Sequence, residues 1–150
     1  METKTKIILV ALIVVALIFG GISLYNNYKM QLKELIPEKN WYHVEISAAT
    51  PTESTAYAVD DEAAWEIMQT IIVPQVDRGG VFAPEEGNSL TVRLSTQDGA
   101  YIFAITVMED GRLSLSSKTA DGEKVRYYEG AAELYRQLKL IASLLPAEKS

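Results

Sequence analysis

His43, Glu45 and Ser47 stand at alternate positions of the run WYHVEISAA, and they are the nearest this chain comes to a base, an acid and a nucleophile in one place. Residues i and i+2 of an extended strand share a face, so the three side chains would stand in a row. Acyl-transfer chemistry needs a hydroxyl to attack, an imidazole to take its proton and a carboxylate to orient the imidazole. His43 is the sole histidine, and the same alternation is the ordinary wet face of a half-buried strand. Nothing with the form Gly-x-Ser-x-Gly, Ser-x-x-Lys, a phosphate-binding loop or His-Glu-x-x-His accompanies it. The expectation is therefore no catalytic residue and no enzyme.

Other residue types capable of chemistry are grouped elsewhere. Carboxylates cluster at Asp60-Asp61-Glu62, Glu85-Glu86 and Glu109-Asp110, positions that read as a helix start, a surface loop and a hairpin tip. A cation would need two such clusters to meet in space, and none has a calcium-loop spacing. Arg78-Gly79-Gly80 offers a guanidinium and unencumbered backbone N–H groups, and Val81-Phe82 follows it directly. The segment Arg78, Gly79, Gly80, Val81 and Phe82 is the candidate partner-binding loop, although Val81 and Phe82 could instead tuck into the core and pin it. Trp41, Tyr42, Tyr127, Tyr128 and Tyr135 could form an aromatic patch or close the core edges. No cofactor and no metal are expected.

The chain has 150 residues and no cysteine, which excludes thiol catalysis, disulfides and cysteine-based zinc sites. Beyond residue 28 it carries 12 basic and 19 acidic side chains, a net charge of −7. That surface repels a phosphate backbone, so no nucleic-acid partner is expected.

The elements that would hold these residues begin with KIILVALIVVALIFGGISLY. From Ile7 to Tyr28 there are 22 uncharged residues, about 33 Å as a helix against a hydrocarbon core of about 30 Å. Because Ile7 to Phe19 is apolar all round, the expectation is a transmembrane signal-anchor in contact with the lipid bilayer. Gly21 and Ser23 keep a cleaved signal, and hence a secreted domain, as an alternative. The short basic tail at 1–6 orients the span with the N-terminus cytoplasmic and the following domain outside, a single-pass protein of the cell membrane.

Residues 29–40 read as a juxtamembrane helical connector ending near Pro37, with Tyr28, Leu32, Leu35 and Ile36 as a helix-pairing stripe. The stripe packs against the chain's own domain or pairs two copies in a homodimer. The domain itself is expected at 41–146, with a tail at 147–150. A first strand places Tyr42, Val44, Ile46 and Ala48 on its dry face, and a short return follows over Thr55 to Val59. Asp60 caps a helix whose core stripe reads Ala64, Trp65, Met68, Ile71 and Ile72. Pro74 to Asn88 has no sustained period and reads as a long loop.

Asp98-Gly99, Asp110-Gly111 and Asp121-Gly122 then separate four alternating runs, predicting hairpins with type I′ turns. Leu90, Val92 and Leu94 face inward on the first run, Leu113 and Leu115 on the third, and Val125 and Tyr127 on the fourth. The last helix shows Ala131, Leu134, Tyr135, Leu138, Ile141, Ala142 and Leu145 on one face and stops at Pro146.

The expected fold class is α+β. An N-terminal single transmembrane helix precedes an antiparallel sheet, a four-stranded Asp-Gly-linked meander plus one or two further strands, with two amphipathic helices packed on one face. The expected function is a membrane-anchored, extracytoplasmic, non-catalytic binding, sensing or accessory module of a bacterial envelope, with an envelope or membrane protein as partner. A structural or dimerising subunit acting through its membrane and juxtamembrane helix is the alternative.

Overall fold

The computed structural model describes residues 3–27 and 29–148, and on the N-terminal helix the described side chains run from Lys4 to Phe19. Helix α1 spans Thr3–Asn27. Eleven large apolar side chains between Ile7 and Phe19 are exposed. Among the described residues no helix is long and apolar enough to cross a membrane. Lys4 to Phe19 amounts to about 24 Å of helix, short of a hydrocarbon core of about 30 Å. The residues that gave the expected span its full length lie beyond those side chains, and Tyr28 lies outside the described residues altogether. The transmembrane signal-anchor, and with it the single-pass assignment to the cell membrane with the domain outside, is corrected accordingly.

The chain then forms β1 (Met30–Gln31) and a single helical turn, α2 (Leu32–Leu35), where a continuous helical connector was expected. The reason is packing. Leu32 is fully buried in the domain's core, its N–H donates to the Pro74 carbonyl at 2.9 Å, and Leu35 and Ile36 pack against the same core.

Eight strands follow one another in a single antiparallel sheet: β1, then β2 (His43–Ala49), β3 (Ser54–Tyr57), β4 (Gln75–Arg78), β5 (Ser89–Ser95), β6 (Ile102–Met108), β7 (Leu113–Thr119) and β8 (Gly122–Glu129). Their spatial order is β1-β4-β8-β7-β6-β5-β2-β3. The sheet is therefore larger than the five or six strands expected. The additions are β1, which pairs Met30 with Val76, and β4, which pairs Arg78 with Tyr128 inside the segment read as loop. Beyond β3 the chain's own end joins in: Ala147 bridges Tyr57, Ala58 donates to the Pro146 carbonyl and Glu148 donates to the Ala56 carbonyl, each at 2.8 Å.

Helices α3 (Asp61–Ile71) and α4 (Ala132–Ser143) lie together on one face of the sheet. Asp60 caps α3, its Oδ1 accepting from the Ala63 N–H at 2.8 Å, a contact of about 1 kcal/mol. The buried stripe of α3 is Ala63, Ile67 and Ile71, whereas Trp65 is 67% exposed. The expected stripe was thus turned by about one residue, because apolar side chains cover a broad arc of this helix and Trp65 sits at its outer margin. On α4, Ala131, Leu134, Tyr135, Leu138, Ile141 and Ala142 are buried, and Leu145 is half-buried against them. They meet Ile46, Val92, Leu94, Phe103, Ile105 and Leu113 from the sheet in one core.

The last strand is inverted relative to expectation. Tyr128, opposite Leu113, enters the core, while Tyr127 and Val125 stand on the face without helices. The turns differ as well: among the described residues no non-glycine residue has positive φ, so Asp98, Asp110 and Asp121 are not in type I′ geometry. Gly99 (φ +71°), Gly111 (+96°) and Gly122 (+132°) take the positive φ instead. At the second turn Gly111 donates to the Met108 carbonyl at 2.9 Å and Met108 to the Arg112 carbonyl at 2.7 Å, a three-residue loop whose glycine forms the bulge.

Candidate functional site

The face of the sheet without helices carries small polar side chains in register. One row runs Ser47, Thr91, Thr106, Ser114 and Tyr127; the next runs Glu45, Arg93, Ala104, Ser116 and Val125. The Thr91 and Thr106 hydroxyls are 3.1 Å apart. Glu45 and Arg93 face each other at 3.7 Å, both well exposed, and are worth a fraction of a kcal/mol at most.

The candidate loop crosses one end of this face. Arg78 closes β4, and Gly79 donates its N–H to the Tyr127 carbonyl at 3.2 Å. A Cβ on Gly79 would come within 2.6 Å of the Tyr128 carbonyl carbon, so only glycine lets the two backbones approach this closely. Gly80 has open space about it. Val81 is 82% exposed, whereas Phe82, the next residue, is 9% exposed. Phe82 sits edge-on to Tyr127 with 5.4 Å between centroids, and the Arg112 guanidinium lies 5.1 Å from its ring. Arg112 is held in turn by Asp110 at 2.8 Å. Phe82 therefore pins the loop, yet it does so on the face opposite the main core, and Val81 does not tuck in at all. The segment ends in a 3₁₀ turn at Pro84–Glu86 and is tied to the β6–β7 turn by Asn88, whose amide donates to Glu109 at 3.0 Å.

The helix-pairing stripe is divided. Leu32, Leu35 and Ile36 are used by the domain's own core, and Tyr28 lies outside the described residues. His43, Glu45 and Ser47 do share the open sheet face, opposite Ser95, Arg93 and Thr91. The His43 ring stacks edge-on with Tyr42 at 4.8 Å. Among the described residues no hydrogen bond joins His43 to Glu45 or Ser47, and no group of three or more His, Asp or Glu side chains is placed to hold a metal ion. Burial, and after it the negative charge of Glu109, pushes the Tyr135 phenol up from its ordinary value.

Two features escaped the sequence. Between α3 and α4 lies a cleft of about 450 Å³, whose lining includes Gln69, Val73, Pro74, Gln75, Leu134 and Gln137. It depends on how the two helices splay, which no local pattern encodes. At the opposite end of the sheet from the loop, Trp41, Tyr101 and Phe103 form a chain of rings, with centroids 5.7 Å apart for Trp41–Tyr101 and 6.3 Å for Trp41–Phe103. Comparison with known proteins supplies no relative for this arrangement: no family model, no curated protein and no solved structure is significantly similar to the chain.

Proposed function

We propose that the chain is a non-catalytic binding or accessory module that presents Val81 to a protein partner. The observation carrying this reading is the contrast between Phe82, buried and clamped by Tyr127 and Arg112, and Val81 beside it, held out in solvent. A loop fixed before binding loses little conformational entropy on association, so even one apolar anchor can contribute usefully. Photo-crosslinking from position 81 in the full chain tests it. One defined adduct is expected there, absent from position 52 and lost when Phe82→Ala frees the loop; equal labelling at 81 and 52 would refute the reading.

The exposed side chains of Ile7 to Phe19 support a second contact, with lipid. They surround the helix on every side, a geometry that one protein surface cannot cover and an apolar medium can. The full chain should float with phosphatidylcholine vesicles and a Leu12→Asp, Val15→Asp variant should not; sedimentation of the full chain away from the vesicles would exclude lipid as the partner.

A further inference from the structure

Two shallow depressions adjoin at Asn40, at the end of the sheet remote from the Val81 loop. One, about 380 Å³, is lined by Asn40, Thr96, Gln97 and Asp98; the other, about 580 Å³, is lined by Pro37 to Trp41. Both are open to solvent and share Asn40; taken together as one trough, they are lined by Glu38, Lys39 and Trp41 on one side of it and by Thr96, Gln97 and Asp98 on the other. Trp41 is half-buried, its ring supported by Tyr101 and Phe103, so it is a rigid platform rather than a free side chain.

The Asp98 side is equally fixed. Asp98 Oδ1 accepts from the Thr96 hydroxyl at 2.7 Å and from the Ala100 N–H at 3.1 Å. Those two bonds aim the carboxylate and leave Oδ2 for another donor. The Asn40 and Gln97 amides each add both a donor and an acceptor. Lys39, 5.2 Å from the Tyr101 ring, is a movable neighbour of the platform.

We propose that this trough binds a neutral glycan. A sugar ring has an apolar C–H face that lies on an aromatic platform and an equatorial rim of hydroxyls that both donate and accept. Trp41 supplies the first surface, and Asn40, Gln97 and Asp98 supply the second. A chain of two or more rings suits two joined depressions, and the shallowness suits a ligand that keeps one side in water. The site is independent of the Val81 loop, which lies at the other end of the strands.

The test uses tryptophan fluorescence, since the chain has only Trp41 and Trp65. In the full chain carrying Trp65→Phe, held in a detergent free of sugar, Trp41 becomes the sole reporter. Titration with chitotetraose, maltohexaose or cellohexaose up to about 10 mM should give a saturable emission shift with at least one of them. Asn40→Ala and Asp98→Ala should each weaken it by about tenfold while circular dichroism stays unchanged. No saturable shift with any of the three, or an equal shift in both variants, would overturn the proposal. So would a shift produced by a proline-rich peptide and by none of the sugars, which would make the trough a peptide site.

Discussion

The ring of Phe82 meets the ring of Tyr127 edge-on at 5.4 Å, and this contact fastens the loop after β4 to β8, a strand the chain reaches only after three hairpin turns. It gives the sheet face without helices a small apolar cluster of its own, capped by the Arg112 guanidinium. Phe82→Ala should cost about 3 kcal/mol, the low end for a buried phenylalanine because one side of the cluster is bounded by polar atoms. Val81→Ala should cost almost nothing, being a change at an exposed side chain. Urea denaturation of the two variants measures the contrast directly.

Leu32 tests the origin of the segment before β2. Because its side chain is wholly buried, Leu32→Ala should lower stability by about 3 kcal/mol, and Leu32→Asp should prevent folding of the domain. Thermal melting of Leu32→Ala beside an exposed control, Leu140→Ala, shows whether the segment belongs to the core.

Gly111 joins the β6–β7 turn to α4, its carbonyl accepting from the Ala131 N–H at 2.9 Å. Its φ is positive, and a Cβ there would come within 2.8 Å of the Ala132 nitrogen. Gly111→Ala therefore combines backbone strain with a clash against backbone, and a loss of about 2 kcal/mol or more is expected. Gly99→Ala, with positive φ but open space around it, should lose less. Parallel urea melts separate the two effects.

The Asp98 carboxyl is held below its ordinary value of 3.8 by the Thr96 hydroxyl first and the Ala100 N–H second. A folded value below the unfolded one adds stability above the unfolded pKa, and that stability disappears as pH falls through the folded pKa. The β5–β6 turn should consequently loosen only in strong acid. Carbon-detected NMR titration should place the Asp98 midpoint below 3.8, and Thr96→Val should move it upward; an identical midpoint in the two proteins would dismiss the hydroxyl as the cause.

Much of the domain's centre was legible because its information is local. Asp-Gly pairs mark the ends of β5, β6 and β7, and Leu90, Val92 and Leu94 alternate as a half-buried strand must. The turn type was misjudged because Asp-Gly also suits a type I turn followed by a glycine bulge, with the aspartate on the negative-φ side. β4 has one inward apolar residue, Val76, and owes its strand conformation to β1 and β8, partners 44 or more residues away in one direction and the other. Tyr127 and Tyr128 are neighbours of equal polarity, so composition cannot say which one turns toward α4; the register with Leu113 decides it. In the candidate site, the exposed valine beside a buried phenylalanine depends on a tyrosine from β8 and an arginine from the β6–β7 turn, and proximity of that kind is invisible along the chain.

The pairing of Pro146 to Glu148 with β3 has a consequence for handling the protein. A strand edge left unpaired is a template for another molecule's edge, and β3 would be the longer of this sheet's two free margins. Its backbone groups at Ala56 and Ala58 are already occupied by the chain's own end. Removing residues from Pro146 onward would leave the core intact and uncover that margin, so such a truncated protein should gain a tendency to self-associate that has nothing to do with any loss of fold.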